Sequence, residues 1–347
     1  MLSKRIEQLP EGADWIFEPK WDGFRALIFR DKDEITIQSR DEKSLNRFFP
    51  ELIDPLRAQL PERCVLDGEI VIAKNGALDF DALQLRLHPA ASRVKLLSEQ
   101  TPASIVFFDV LCQDDQDLRS EPFHKRRERL LSMLRSAVPP LHLTPATGDR
   151  RVATDWFRRF EGAGLDGVMA KPAAGLYEPD KRVMFKVKHE RDCDCVVAGF
   201  RWFKKGDGTD IGSLLLGLFD ECGALQHVGV CASFTQQMRR ELVDYLAPYR
   251  ENALAGHPWK HWTDNSEPGQ RLPRGLSRWS QGKDLSWEPI RPELVVEITY
   301  EHMQGARFRH MAHFRRWRPD KKPRDCTYAQ LEVVPPQELA AIFSSGR

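Results

Sequence analysis

Within FEPKWDGFRALIFRD, residues 17 to 31, Lys20 interrupts an otherwise apolar, strand-like run, two residues before Asp22-Gly23 and five before Arg25. A solitary lysine in a strand keeps its charge and snorkels to water. An amine desolvated beside fixed cations or a metal ion instead loses its proton and becomes a nucleophile. Lys20 has company for such chemistry, because short polar signatures recur at strand ends through the first half. They are KWDGFR (Lys20, Asp22, Gly23, Arg25), SRD (Ser39, Arg40), LDGEIV (Asp67, Gly68, Glu69), FFDV (Phe108, Asp109), DGVMAK (Asp166, Gly167, Lys171) and FKVK (Lys186, Lys188). Singly, each Asp-Gly reads equally well as a turn dipeptide. Together they gather lysines, arginines, carboxylates and one aromatic pair along a single half of the chain.

The elements that must position these groups alternate short strands with helices. DWIFEPK, GFRALIFRD and EITIQSR read as strands, with DKDE as the turn between the last two. SLNRFFPELIDPL is expected to be a helix capped by Ser44, with Phe48, Leu52 and Leu56 at helical spacing. CVLDGEIVI and SIVFFDVL are strands, the second apolar enough to be buried on both faces. FHKRRERLLSML and TDWFRRFEGAG are amphipathic helices, the latter capped by Thr154 and stopped by Gly164. DGVMAKP and RVMFKVKH complete the half.

After His189 the texture changes. ERDCDCVVAGFRW, SLLLGLFD and QHVGVCAS are strands at close intervals, TQQMRRELVDYL is a helix capped by Thr235, and ELVVEITY and ARFRHMAHFRRWR are later strands. Short strands with one helix suit a small barrel of the oligonucleotide-binding type. Residues 250 to 288, rich in Pro, Gly, Trp and Ser, read as an insertion, with Trp259, Trp262, Trp279 and Trp287 pinning it to the barrel.

Composition bounds the possibilities. A chain of 347 residues calls for about two domains. Seven irregularly spaced cysteines argue against a disulfide framework, and Cys193 and Cys195, with no second pair at finger spacing, read as small thiols in a strand rather than zinc ligands. No span has the roughly 20 consecutive apolar residues of a membrane helix, and MLSKRIEQLPEGADW lacks a secretory apolar core, so a cytoplasmic protein is expected. A net charge of +1 does not mark a nucleic-acid binder, yet residues 291 to 324 hold nine Lys/Arg against four Asp/Glu. His302, His310 and His313, in that arginine-rich setting, read as surface or phosphate-contacting groups.

In their order, the signatures resemble the motifs of the covalent nucleotidyltransferase superfamily, the ATP-dependent DNA ligases above all. RWRPDKK (Arg318, Asp320, Lys321) resembles that family's C-terminal motif, and SRWSQGKDLSW with RPELVVEITYEHMQGARFRH is similar to the small stand-alone bacterial ligases of the LigC type. The resemblance covers nearly the whole chain. It implies an α+β protein: an N-terminal adenylation domain over residues 1–189, with ATP-grasp-like antiparallel sheets and helices, then an OB-fold domain over 190–347 that carries the insertion.

The implied activity is sealing of 3′-hydroxyl/5′-phosphate nicks in duplex DNA, in repair, by a monomer. By resemblance Lys20 attacks the α-phosphorus of ATP, Lys186 and Lys188 contact the α-phosphate, and Arg25 and Arg40 hold ribose or phosphate groups. Glu69 serves ribose and metal, Phe108 stacks on adenine, and Glu18 accepts from the adenine amino group. Asp166 and Glu69 are the implied ligands of Mg²⁺ or Mn²⁺. The family's fourth motif usually has glutamate where this chain has Asp166, which leaves direct or water-bridged coordination open. Arg318 and Lys321 match residues that orient the pyrophosphate, which makes residues 189 to 194 a hinge. DNA phosphates would meet Arg201, Lys204, Lys205 and Arg307. The same lysine motif also serves RNA ligases and GTP-dependent guanylyltransferases, and a nucleic-acid-binding module with a decayed first half is the non-enzymatic alternative.

Overall fold

Apolar alternation builds most of the strands, in the order read from the sequence. The structure, a computed structural model, describes residues 1–203, 208–260 and 286–331. They form two compact units that part between Lys188 and His189. The first contains β1 (Leu2–Arg5), β2 (Trp15–Pro19), β3 (Phe24–Asp31), β4 (Glu34–Ser39), α1 (Ile53–Gln59), β5 (Arg63–Val71), a hairpin β6 (Ala73–Lys74) and β7 (Ala77–Leu78), α2 (Phe80–Leu85), α3 (Ala91–Gln100), β8 (Ser104–Gln113), β9 (Gln116–Asp117), α4 (Phe123–Met133), β10 (Leu141–Leu143), α5 (Arg150–Arg159), β11 (Gly167–Pro172) and β12 (Arg182–Lys188).

Two sheets result, ordered β1-β12-β11-β2 and β10-β8-β5-β3-β4, with β9 beside β8. They are mixed rather than purely antiparallel, since β1 runs parallel to β12 and β10 parallel to β8. Each sheet buries one face under helices. Ile28, Leu66 and Phe107 pack with Leu56, Leu83 and Leu130, whereas Phe17, Val168 and Val187 pack with Ala153 and Trp156 of α5. The opposite faces meet each other, with Leu27 and Val65 of one sheet and Met169 and Met184 of the other in one apolar cluster. The polar signature residues lie between them.

Two local expectations are corrected here. Ser44 caps no helix: residues 46–52 form two 3₁₀ turns, and α1 begins only at Ile53. Pro50 has no N–H to give a helix running through it, and the Asn46 amide instead bonds the β4 backbone at Ile35 O (2.7 Å) and Ile37 N (2.8 Å). Thr154 lies inside α5, bonded to Arg150 O, because Asp149 caps that helix through Arg151 N–H at 2.7 Å. Gly164, at φ +83°, does stop the segment.

The second unit contains β13 (Arg191–Trp202), β14 (Ile211–Phe219), β15 (Leu225–Cys231), α6 (Gln236–Arg250), β16 (Glu288–Tyr300), β17 (Met303–Gln304), β18 (Arg307–Phe308) and β19 (His313–Trp317). Five strands form an antiparallel sheet ordered β15-β14-β13-β16-β19. Thr235 caps α6 through Met238 N–H. The single strand expected over residues 306 to 318 is two, because the chain leaves its hairpin with β17 after Phe308 before pairing with β16. Trp259 is fully buried and donates to Leu225 O at 2.7 Å, with Trp287 packed on the same core. Trp262 and Trp279 lie outside the described residues.

Candidate active site

Strand register assembles the site. In β11, Met169 sits opposite Glu18 of β2 on one side and Lys186 of β12 on the other, and Gly167 opposite Lys188. Period-two alternation therefore sends Glu18, Lys171, Lys186 and Lys188 to the face away from α5. Just beyond β2, Lys20 N–H donates to Gly167 O (2.9 Å) and Asp166 N–H to Lys20 O (3.0 Å), which fixes the two residues side by side. The Lys20 amine lies 2.5 Å from Asp166 Oδ2, and Lys188 Nζ lies 3.0 Å from the same oxygen. Asp166 is buried, while Lys20 keeps 20% of its side chain exposed.

Two of the Asp-Gly pairs are close-approach points rather than bare turns. A Cβ on Gly23 would sit 2.1 Å from Ile70 O, and one on Gly167, at φ +136°, 2.0 Å from Val187 O. Any side chain there would push apart the strands that carry Lys20, Glu69 and Lys188.

Arg25 and Glu69 are cross-strand neighbours on the facing sheet. Arg25 grips Asp67 with Nε (3.0 Å) and Nη2 (2.5 Å), and Tyr177 OH donates to Asp67 at 3.0 Å. Burial works to lower the Arg25 pKa, but Asp67 chiefly outweighs it and leaves the guanidinium above its ordinary range. Glu69 is half-buried. Burial raises its carboxyl to about 7, against the opposing pull of Lys20 and Arg25. Arg25, Ser39, Arg40 and Tyr177 also line a cavity of about 510 Å³ walled by Leu27, Val65 and Leu111.

At the other end, Glu18 is 2% exposed and lies between two cations, Arg127 Nη1 at 3.1 Å and Lys171 Nζ at 2.7 Å. The Lys171 amine also sits 4.6 Å from the ring centres of Phe108 and Phe123. Phe107 is core, and half-buried Phe108 faces the lysine. Behind this wall Arg126 and Asp109, essentially unexposed, form a bidentate pair at 2.8 and 2.9 Å.

Of the expected residues, the structure thus brings Lys20, Asp166 and Lys188 into contact, sets Arg25 beside Glu69, and puts Glu18 and Lys186 on one face of their sheet and Phe108 next to Lys171; Arg40 lines the cavity with Arg25, and Lys20 does not. Asp22 is half-buried next to Gly23. Arg318 and Lys321 belong to the second unit, where both meet Asp194. Lys204 and Lys205 lie outside the described residues. Sequence reasoning missed Arg126, Arg127 and Tyr177. The signal for Lys171 was available, since it lies two residues from Met169 and so faces the same way. Arg126 and Arg127 gave none, hidden in a charged helix whose other basic residues are solvated.

An amine against a carboxylate, with further cations and an aromatic face nearby, has the groups that binding a nucleotide and transferring its phosphoryl centre would need. The comparisons agree on the class. The chain belongs to the ATP-dependent DNA ligase family: residues 1–188 match the ATP dependent DNA ligase domain and residues 207–321 the ATP dependent DNA ligase C terminal region. It is 52% identical over 338 residues to DNA ligase C2 of Mycolicibacterium smegmatis, covering 96% of this chain and 94% of that one. It is equally similar, 52%, to DNA ligase C of Mycobacterium tuberculosis, over 96% and 93% of the two chains. In fold it resembles a solved Lig E DNA ligase, with a TM-score of 0.54 at 16% identity over 91% of this chain and 98% of that one. As a member of this family the chain is an enzyme, an ATP-dependent DNA ligase.

Proposed function

We propose that Lys20 carries AMP from ATP to the 5′-phosphate of a nick in duplex DNA, in repair. The observation that supports this most is the shared contact of Lys20 and Lys188 with Asp166, at 2.5 and 3.0 Å. In the first transfer a bond forms between Lys20 Nζ and the α-phosphorus, the bond from that phosphorus to the bridging oxygen breaks, and pyrophosphate leaves with the electron pair. The proton leaving the amine has an acceptor within hydrogen-bond reach in Asp166 Oδ2. In the second, the nucleotide passes to the DNA 5′-phosphate; in the third, the 3′-hydroxyl attacks and AMP departs.

Lys186 and Lys188 hold the α-phosphate, Arg25 and Arg40 the ribose and phosphate groups, and Glu18 and Phe108 the adenine, with Asp22 in the lysine's own loop. Arg318 and Lys321 act on the triphosphate during the first transfer. A hard divalent cation bound by one or two carboxylates plus phosphate oxygens fits Asp166 and Glu69. Such an ion, Mg²⁺ or Mn²⁺, supplies charge neutralisation to the leaving pyrophosphate.

The finer assignments are an ATP-grasp-like first domain ending near residue 189 and an OB-type barrel after it. The five-stranded antiparallel sheet capped by α6 supports the second. Arg201 and Arg307, with Lys204 and Lys205, are assigned to DNA phosphates.

Mass spectrometry after incubation with ATP and Mg²⁺ tests the reading. An AMP adduct on Lys20, absent in Lys20→Ala, is expected. Labelling by GTP in preference to ATP, or sealing that survives Lys20→Ala, refutes it.

A further inference from the structure

In the second unit Asp194 of β13 lies directly opposite Glu297 of β16. Two like charges so placed repel. Asp194 is also 8% exposed, so its charge needs partners. They come from the C-terminal motif. Arg318 Nη1 spans both carboxylates, at 3.1 and 3.2 Å from the Asp194 oxygens and 3.1 Å from Glu297. Its remaining edge is committed to Asp320, at 2.9 Å from Nε and 2.8 Å from Nη2. The Lys321 amine donates to Asp194 Oδ2 at 2.6 Å, and 26% of its side chain is exposed, against 20% for Arg318.

The backbone of Asp194 is held as firmly as its side chain. Pairing of β13 with β14 begins only at Val196. Over the uncovered edge before it, Gln330 closes a reciprocal pair, accepting from Asp194 N–H and donating to Asp194 O, both at 2.9 Å.

We infer that Asp194 is a positioning residue for lysine adenylylation: Arg318 fixes the frame of three carboxylates, and Asp194 within it holds the Lys321 amine ready for the polyphosphate of ATP. The inference rests on the proposed role of Lys321 and refines it. A lysine on a flexible stem gains an orientation only from what grips it. The group that benefits is the leaving pyrophosphate, whose charge grows as the α-phosphorus to oxygen bond breaks. Sealing of a nick that already carries AMP breaks no bond to pyrophosphate and does not call on this arrangement.

The experiment compares Asp194→Asn, Asp194→Glu and Lys321→Met in the full chain. It reads AMP adduct formation from ATP, sealing of a pre-adenylylated nick, and thermal unfolding. Asp194→Asn is expected to slow adduct formation at least tenfold more than it slows pre-adenylylated sealing, with Asp194→Glu partly restoring the rate. Combined with Lys321→Met, Asp194→Asn is expected to add less than threefold. Equal loss in both assays, or multiplicative losses in the double variant, overturns the inference. If Asp194→Asn does not fold, Lys321→Met alone decides: without the same selective loss of the ATP-dependent step, the inference fails. Failure of the function itself would look different, because the wild-type chain would then show no adduct on Lys20.

Discussion

Replacing Arg126 by methionine isolates the support of the cleft from its chemistry. The guanidinium makes two bonds to Asp109, at 2.8 and 2.9 Å, and two to carbonyls, Glu121 O at 2.6 Å and Gly175 O at 3.2 Å. Both partners are at most 1% exposed, so no water replaces what is lost. Breaking a buried pair from one side costs about 3–5 kcal/mol because the surviving charge stays buried. Each stranded carbonyl adds about 1–3 kcal/mol before relaxation. A loss of about 5 kcal/mol is a large part of the roughly 5–15 kcal/mol that holds a domain together. At about 2–4 °C per kcal/mol for a domain of this size, the first unit should melt at least about 10 °C lower. Urea and thermal unfolding followed by tryptophan fluorescence measure this. Asp109→Leu with Arg126→Met removes both charges and should recover the part of the loss due to the stranded carboxylate, while Glu121 O, Gly175 O and Val110 N–H stay without the partners they had. An Arg126→Met protein within about 1 kcal/mol of wild type would refute the reasoning, as would a double variant less stable than the single.

The other predictions concern the site and the second unit. The folded Glu69 carboxyl holds its proton up to about 7, whereas the ordinary value is 4.5; stability therefore falls as pH rises between the two. Glu69→Gln should abolish that fall, which denaturation at pH 5 and pH 8 will reveal. Gly23→Ala drives a methyl into Ile70 O and should destabilise the first unit by about 1–3 kcal/mol or more, read by urea denaturation. Trp259→Ala empties a fully buried site and should cost the second unit about 3–5 kcal/mol, read the same way.

What was legible in the sequence follows from the range of the forces involved. Strands β3, β5, β8, β11 and β12 were readable because apolar runs and alternation are local signals, whereas the side on which Glu69 and Lys188 stand came only with the register of their neighbours. The helix expected from Ser44 failed for a local reason, too: Pro50 outweighs the spacing of three apolar residues. β1, only Leu2–Arg5, was illegible because its place depends on β12, some 180 residues later in the chain. The grip of Arg25 on Asp67 and of Arg127 on Glu18 was equally hidden. Nothing in a run such as FHKRRERL separates an arginine that points inward from one that points to water.

The cations of the cleft do not stand bare. Lys20 and Lys188 rest on Asp166, Arg25 on Asp67, and Lys171 and Arg127 on Glu18. An incoming polyanion therefore trades places with carboxylates already seated instead of dropping into a positive hollow. The displaced carboxylates stay in the site, so the net attraction for a polyanion is smaller than the count of lysines and arginines suggests, and added salt, which weakens bare attractions most, has less to weaken.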